Sequence, residues 1–194
     1  MTPQKCVLIG ASTGGPEFIE KIAMVLPKAY PYPICVVLHF PMHFSASYAK
    51  RLDEHSAVHV TEAEDGMKLY PGTMYIAKSG RHMCFGKDGH NIVIQLKNKN
   101  REELFTPSVD AMFLSAKDVF DPKHILAVLL TGIGSDGALG MVELKKAGAL
   151  TIAQDEKSSI VYGMPKEAFA RGGVVKILPF HEIVKEILRF GEKR

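Results

Sequence analysis

Apolar and polar positions along this chain alternate between two textures. Short, strongly apolar runs recur at residues 5–10, 34–38 and 125–130. Between them lie stretches with apolar positions at helical spacing. In residues 16–26, for instance, Phe18, Ile19, Ile22, Met24, Val25 and Leu26 supply one apolar side, and Pro27, Pro31 and Pro33 break the helix. The run at 34–38, bounded by Pro33 and Pro41, suits a strand buried on both faces. A helix is predicted over 43–54 and short strands over 58–61 and 73–77. Strands at 82–86 and 91–97 flank Lys87-Asp88-Gly89-His90, where Asp-Gly signals a β-hairpin. The polar stretch 98–106 reads as a loop, and Ser108 caps a helix running to Phe120. Helices over 138–147 and 165–171, strands over 150–153 and 174–178, and a last helix from His181 complete the pattern. Alternating strands and helices predict one α/β domain over residues 1–194. Its expected form is a Rossmann-like, doubly wound, mostly parallel sheet with helices on both faces and the hairpin as a small excursion.

Composition narrows the function classes. The 194 residues suffice for one substantial core, and 46% hydrophobic with 23% charged residues is an ordinary globular balance. A formal net charge of +3, with acids and bases mixed, does not point to nucleic acid. The basic tail Glu192-Lys193-Arg194 reads as a solvated end. Cys6, Cys35 and Cys84 are odd in number and widely spaced, so they form neither a disulfide framework nor a zinc pattern. They are expected to be buried, reduced thiols, which fits a cytoplasmic protein. Met24, Met112, Met141 and Met164 read as core or pocket filler. Met1-Thr2-Pro3-Gln4-Lys5 has no signal-peptide pattern, and no apolar run reaches membrane-spanning length. No stripe of apolar residues remains for self-association, so a monomer is the expected state.

The chemistry concentrates where predicted strands end. Ligands of parallel sheets bind outside the carboxyl ends of the strands, where the strand order reverses. Ser12 follows the first strand within Gly10-Ala11-Ser12-Thr13-Gly14, a G-x-S-x-G nucleophile elbow. His39 follows the second strand, and Thr131-Gly132-Ile133-Gly134-Ser135-Asp136-Gly137 follows the run at 125–130. A serine hydroxyl needs an adjacent base, and a carboxylate orients that base and stabilises its imidazolium. Ser12, His39 and Asp136 converge if the third strand lies on the far side of the first. The N–H groups of Thr13 and Ile133 are the candidate oxyanion donors. The chain order Ser…His…Asp differs from the Ser…Asp…His order of α/β-hydrolases, which argues against that fold.

Each element also has an ordinary reading. Glycines after a first strand mark nucleotide-binding turns, although Gly10, Gly14 and Gly15 do not match G-x-G-x-x-G. A nucleotide-binding regulatory module using the 10–15 turn is the alternative function, and an inactive interaction domain is a third. His43 competes with His39 as the base, and Asp110 and Asp155 compete with Asp136. His39 and His43 lack a third ligand or an H-E-x-x-H pattern, so no metal site is expected, and the triad chemistry requires no organic cofactor. The hairpin and the segment 41–48 could line the mouth of the site, with Arg81 and Lys50 as substrate-binding candidates.

Six ordered blocks carry a resemblance. IGASTGGP, LHFPMHFSASYAKRL, PGTMYIAKSGRHM, TPSVDAMFLSA, LLTGIGSDGALGM and SSIVYGMPKEA resemble the catalytic domain of the chemotaxis protein-glutamate methylesterases, the CheB family. The resemblance implies a cofactor-free hydrolase that demethylates glutamyl γ-methyl esters on chemoreceptor cytoplasmic helices. It also implies deamidation of receptor glutamines through a similar acyl-enzyme. The family's serine, histidine and aspartate fall on Ser12, His39 and Asp136, and its donor turn falls on residues 132–135. Ile133 stands where the family often has methionine, a change that a backbone donor should survive. Family members usually carry an N-terminal receiver domain. This chain begins almost at its first strand, so an isolated catalytic domain with ungated activity is expected.

Overall fold

The computed structural model describes residues 5–99 and 104–192. Residues 100–103 of the predicted polar loop, 193–194 of the basic tail and 1–4 lie outside the described residues. In chain order, the described elements begin with β1 (Cys6–Ala11), α1 (Gly15–Val25), β2 (Ile34–Leu38) and α2 (Ser45–His55). β3 (His59–Glu62), β4 (Thr73–Ile76), β5 (His82–Asp88) and β6 (Asn91–Lys97) follow, then α3 (Val109–Val119) and β7 (Ile125–Leu129). The last elements are α4 (Ala138–Lys146), β8 (Leu150–Gln154), α5 (Met164–Ala170), β9 (Lys176–Leu178) and α6 (Phe180–Glu192).

Seven strands form one parallel sheet in the order β3-β4-β2-β1-β7-β8-β9. Its centre is β1, flanked by β2 on one side and β7 on the other. The winding direction reverses there, so the carboxyl ends of these three strands open onto one crevice.

The sheet is buried on both faces because its strands are apolar at both parities. Along β1, Cys6 and Leu8 point into one core, and Val7 and Ile9 into the other. The first core is closed by α3, α4 and α5, the second by α1, α2 and α6. Each fully buried Val, Leu or Ile stabilises the fold by about 1.5–3 kcal/mol relative to exposure. The doubly wound α/β expectation is met.

Three local expectations change. The helix predicted from residue 43 starts at Ser45, because His43 adopts a left-handed φ of 66° and turns the chain before the helix. The first hairpin strand runs further than predicted, to Asp88, where it meets Asn91, while the second keeps its predicted bounds. Only Gly89 and His90 remain for the turn, with Gly89 at φ 57°, the conformation a tight two-residue hairpin needs. The hairpin is also anchored rather than projecting. Met83, Phe85, Ile92 and Ile94 join the core that α3 closes. The three cysteines are buried free thiols, and burial pushes those of Cys6 and Cys35 well up. No described helix is long and apolar enough to cross a membrane.

Candidate active site

The turn after β1 delivers Ser12. Its N–H donates to Thr131 O at 2.9 Å, and its carbonyl accepts Gly15 N–H at 2.8 Å. Pro16 then occupies the first turn of α1, where a missing N–H is harmless. The register of β1 with β2 pairs Ala11 with Leu38, and His39 N–H reaches Ala11 O at 3.4 Å. His39 therefore stands beside Ser12. On the other flank, Leu130 N–H donates to Gly10 O at 2.9 Å. A Cβ on Gly132 would lie 2.8 Å from Ser12 Cβ, so only glycine lets the turn after β7 close against the serine. Thr131 Oγ1 ties the two turns together, reaching Thr13 O at 2.9 Å and accepting Val161 N–H at 2.9 Å.

Asp136 is the carboxylate that touches the imidazole. His39 Nε2 lies 2.7 Å from Asp136 Oδ2, and both side chains are almost fully buried. The same Oδ2 accepts Val109 N–H at 2.8 Å, and Oδ1 accepts Ser108 Oγ–H and Asp110 N–H, each at 2.9 Å. These donors form the first turn of α3, whose unsatisfied N–H groups and dipole favour an anion. Burial pushes the Asp136 carboxyl up. The His39 imidazole and the Asp110 and Val109 N–H groups outweigh that penalty and hold it below the ordinary value. Ser108 also caps α3 by accepting Ala111 N–H, and its own N–H donates to His82 Nδ1 at 3.1 Å.

The rival carboxylates serve elsewhere. Asp110 Oδ1 accepts Gly140 N–H at 2.7 Å, joining α3 to α4, and burial pushes its pKa up. Asp155 accepts from the backbone and hydroxyl of Ser158. The rival base, His43, is exposed in the left-handed turn before α2.

Two further features bear on His39. Its ring stacks face to face on Phe105, with centroids 4.2 Å apart and an interplanar angle of 1°. Its Nδ1 is buried and has no hydrogen-bond partner among the described residues. With Nε2 held by the carboxylate, Nδ1 is the ring nitrogen left open. A serine–histidine bond often tightens only when substrate is present. Among the described residues, the N–H groups of Thr13 and Ile133 make no intramolecular hydrogen bond. By contrast, the N–H groups of Ser12 and Gly132 are consumed by Thr131 O and Val161 O.

Arg81 and Lys50 sit differently from one another. Arg81 is half-buried, with Nη2 donating to Leu96 O at 3.0 Å, while Lys50 is exposed on α2. Met24 departs from the filler reading at 59% exposure, whereas Met112, Met141 and Met164 are fully buried. No group of three or more described His, Cys, Asp or Glu side chains is placed to hold a metal ion. Phe105 and His82 were not singled out by sequence reasoning. The capping position of Ser108 and the TPSVDAMFLSA block hinted that the start of α3 mattered.

Known proteins resemble the chain in sequence and fold. The CheB methylesterase family model matches residues 7–187. A protein-glutamate methylesterase/protein-glutamine glutaminase of Bradyrhizobium diazoefficiens is 45% identical over 187 residues, covering 96% of this chain and 51% of that protein. One of the same description from Ralstonia nicotianae is 44% identical over 185 residues, covering 95% of this chain and 48% of that protein. The chain thus spans about half the length of the curated relatives it matches. The crystal structure of the Thermotoga maritima CheB methylesterase catalytic domain superposes with a TM-score of 0.91 at 36% identity, covering 95% of this chain and 97% of that one. Agreement in sequence across nearly the whole chain, and in the three-dimensional course of the backbone, establishes that the chain belongs to the CheB methylesterase family.

Proposed function

We propose that this chain is a serine ester hydrolase that demethylates glutamyl γ-methyl esters on the cytoplasmic helices of chemoreceptors. It would release methanol in chemotaxis adaptation and deamidate receptor glutamines through the same acyl-enzyme. The observation that carries this reading is the His39–Asp136 pair at the strand end adjoining the Ser12 turn. The names of the relatives supply the protein glutamate ester and the protein glutamine, and the family resemblance supplies the chemoreceptor. The partners in this reading are receptor helices and, where the chain is part of a longer protein, a receiver domain, with the reaction located in the cytoplasm.

The steps follow from the atoms. Ser12 Oγ attacks the ester carbonyl carbon as its proton passes to His39 Nδ1. Asp136 stabilises the resulting imidazolium through Nε2–H. The N–H groups of Thr13 and Ile133 receive the oxyanion, aided by the N-terminus of α1. The carbon–oxygen bond to the methoxy group breaks, and methanol takes the proton from Nδ1. Water then adds to the acyl carbon and gives its proton to Nδ1. The bond to Oγ breaks, Ser12 recovers the proton, and glutamate is free.

The test is methanol release from methylated receptor by the native chain, Ser12→Ala and His39→Ala. Loss in both variants with retained fold is expected. Full turnover by Ser12→Ala, or tight nucleotide binding without methanol release, would overturn the reading.

A further inference from the structure

A cavity of about 620 Å³ opens on the side of His39 lined by Phe105. Its walls are mainly apolar and include Met42 and Leu104, whose side chains are 62% and 87% exposed. Lys99 is the one lysine or arginine among its described lining residues. The wall formed by Met42 is built on a close approach. A Cβ on Gly80 would lie 2.8 Å from Met42 Sδ and 2.9 Å from Cε, so the thioether rests against the glycine. Large apolar side chains exposed together around a cavity mark a surface that another molecule covers. A thioether adapts to partners of varied shape.

The position of the cavity limits what can cover it. His39 belongs both to its lining and to the hydrogen-bonded pair beside Ser12. The cavity therefore lies beside the place where a polypeptide presents an ester to Ser12. On a helix, side chains one turn apart lie about 5–6 Å from each other at Cβ, so a neighbour of the esterified residue faces the cavity. Among the described lining residues, apolar walls with Lys99 at the edge complement an amphipathic helix carrying an apolar side chain next to an acidic one.

We infer that this cavity is a recognition subsite. It seats an apolar side chain of the substrate helix about one turn from the esterified glutamate, and Lys99 pairs with an acidic side chain beside it. The inference rests on the proposed ester hydrolysis at Ser12 and specifies how its substrate is chosen.

The test compares kcat/KM on two esters. One is a methylated helical receptor fragment, and the other is the γ-methyl ester of N-acetylglutamate amide, which is too small to reach across the cavity. A carboxylate in place of the thioether should reduce the ratio of helical to small-ester kcat/KM about tenfold in Met42→Asp, the scale of one mismatched apolar contact. Met42→Leu, of similar volume, should keep the native ratio. Lys99→Glu should lower the ratio at low salt and lose that effect at high salt. A ratio within about twofold of native in both Met42→Asp and Lys99→Glu, against the larger change a lost contact produces, would overturn the subsite while leaving ester hydrolysis standing. If the native chain cleaves neither ester, ester hydrolysis itself is refuted, and the subsite with it.

Discussion

Replacing Asp136 with asparagine separates the two tasks of this carboxylate. Its oxygens accept four hydrogen bonds, two on each oxygen. An asparagine offers one acceptor oxygen and one NH₂ group. If the NH₂ takes the place of Oδ2, it confronts Val109 N–H and forces His39 into the tautomer with the proton on Nδ1, which disables the base. If it takes the place of Oδ1, it confronts Asp110 N–H, although the Ser108 hydroxyl can rotate to accept. Either orientation leaves a buried backbone donor facing another donor, at a cost of about 1–3 kcal/mol. For a chain of this size, that loss lowers Tm by about 2–12 °C. Activity should suffer more, because the imidazolium also loses its counter-charge. The analogous change in serine-protease triads lowers kcat about 10⁴-fold. The assays are methanol release and thermal unfolding of Asp136→Asn beside the native chain. Turnover within about tenfold of native by a folded variant would refute the assignment, because that lies far below the triad cost.

Two other outcomes follow from the same neighbourhood. The Phe105 stack fixes the plane of His39, and such pairs contribute about 0.5–1.5 kcal/mol beyond buried area. Phe105→Ala should therefore lower kcat by about twofold to tenfold. Phe105→Tyr should retain it, and equal loss in both variants would contradict positioning by the ring. In acid, Asp136 has a folded pKa below its ordinary value, so its contribution is fully present above the unfolded value near about 3.9 and is lost as pH falls through the folded value. Asp110 acts with the opposite sign, since burial raises its pKa and favours its protonated form in the fold. Urea midpoints measured from neutral pH down to about pH 3, below the reference value, should fall more steeply for the native chain than for Asp136→Asn. Parallel curves would refute the linkage.

Much of the site was legible in the sequence for a mechanical reason. A parallel sheet delivers its strand ends to one edge, so unusual residues just after apolar runs are brought together by topology alone. The G-x-S-x-G turn, the histidine after Leu38 and the aspartate after the 125–130 run could be read that way. Periodicity also separated strands from helices, because burial on both faces leaves no room for polar positions. The start of α2 was misplaced because pattern cannot show that His43 turns left-handed.

Sequence by itself thus determined the α/β class, the apolar strands and the residues that could act as nucleophile, base and orienter. Tertiary structure decided among them. Asp136, not Asp110 or Asp155, meets His39, and it also anchors the first turn of α3. The structure also put Phe105 on the imidazole face and left Nδ1 as the open nitrogen. These contacts join residues 26 to 97 positions apart through side-chain rotamers and helix ends. Local propensity carries no information at that range, so they exist only once the packed core fixes where α3 begins.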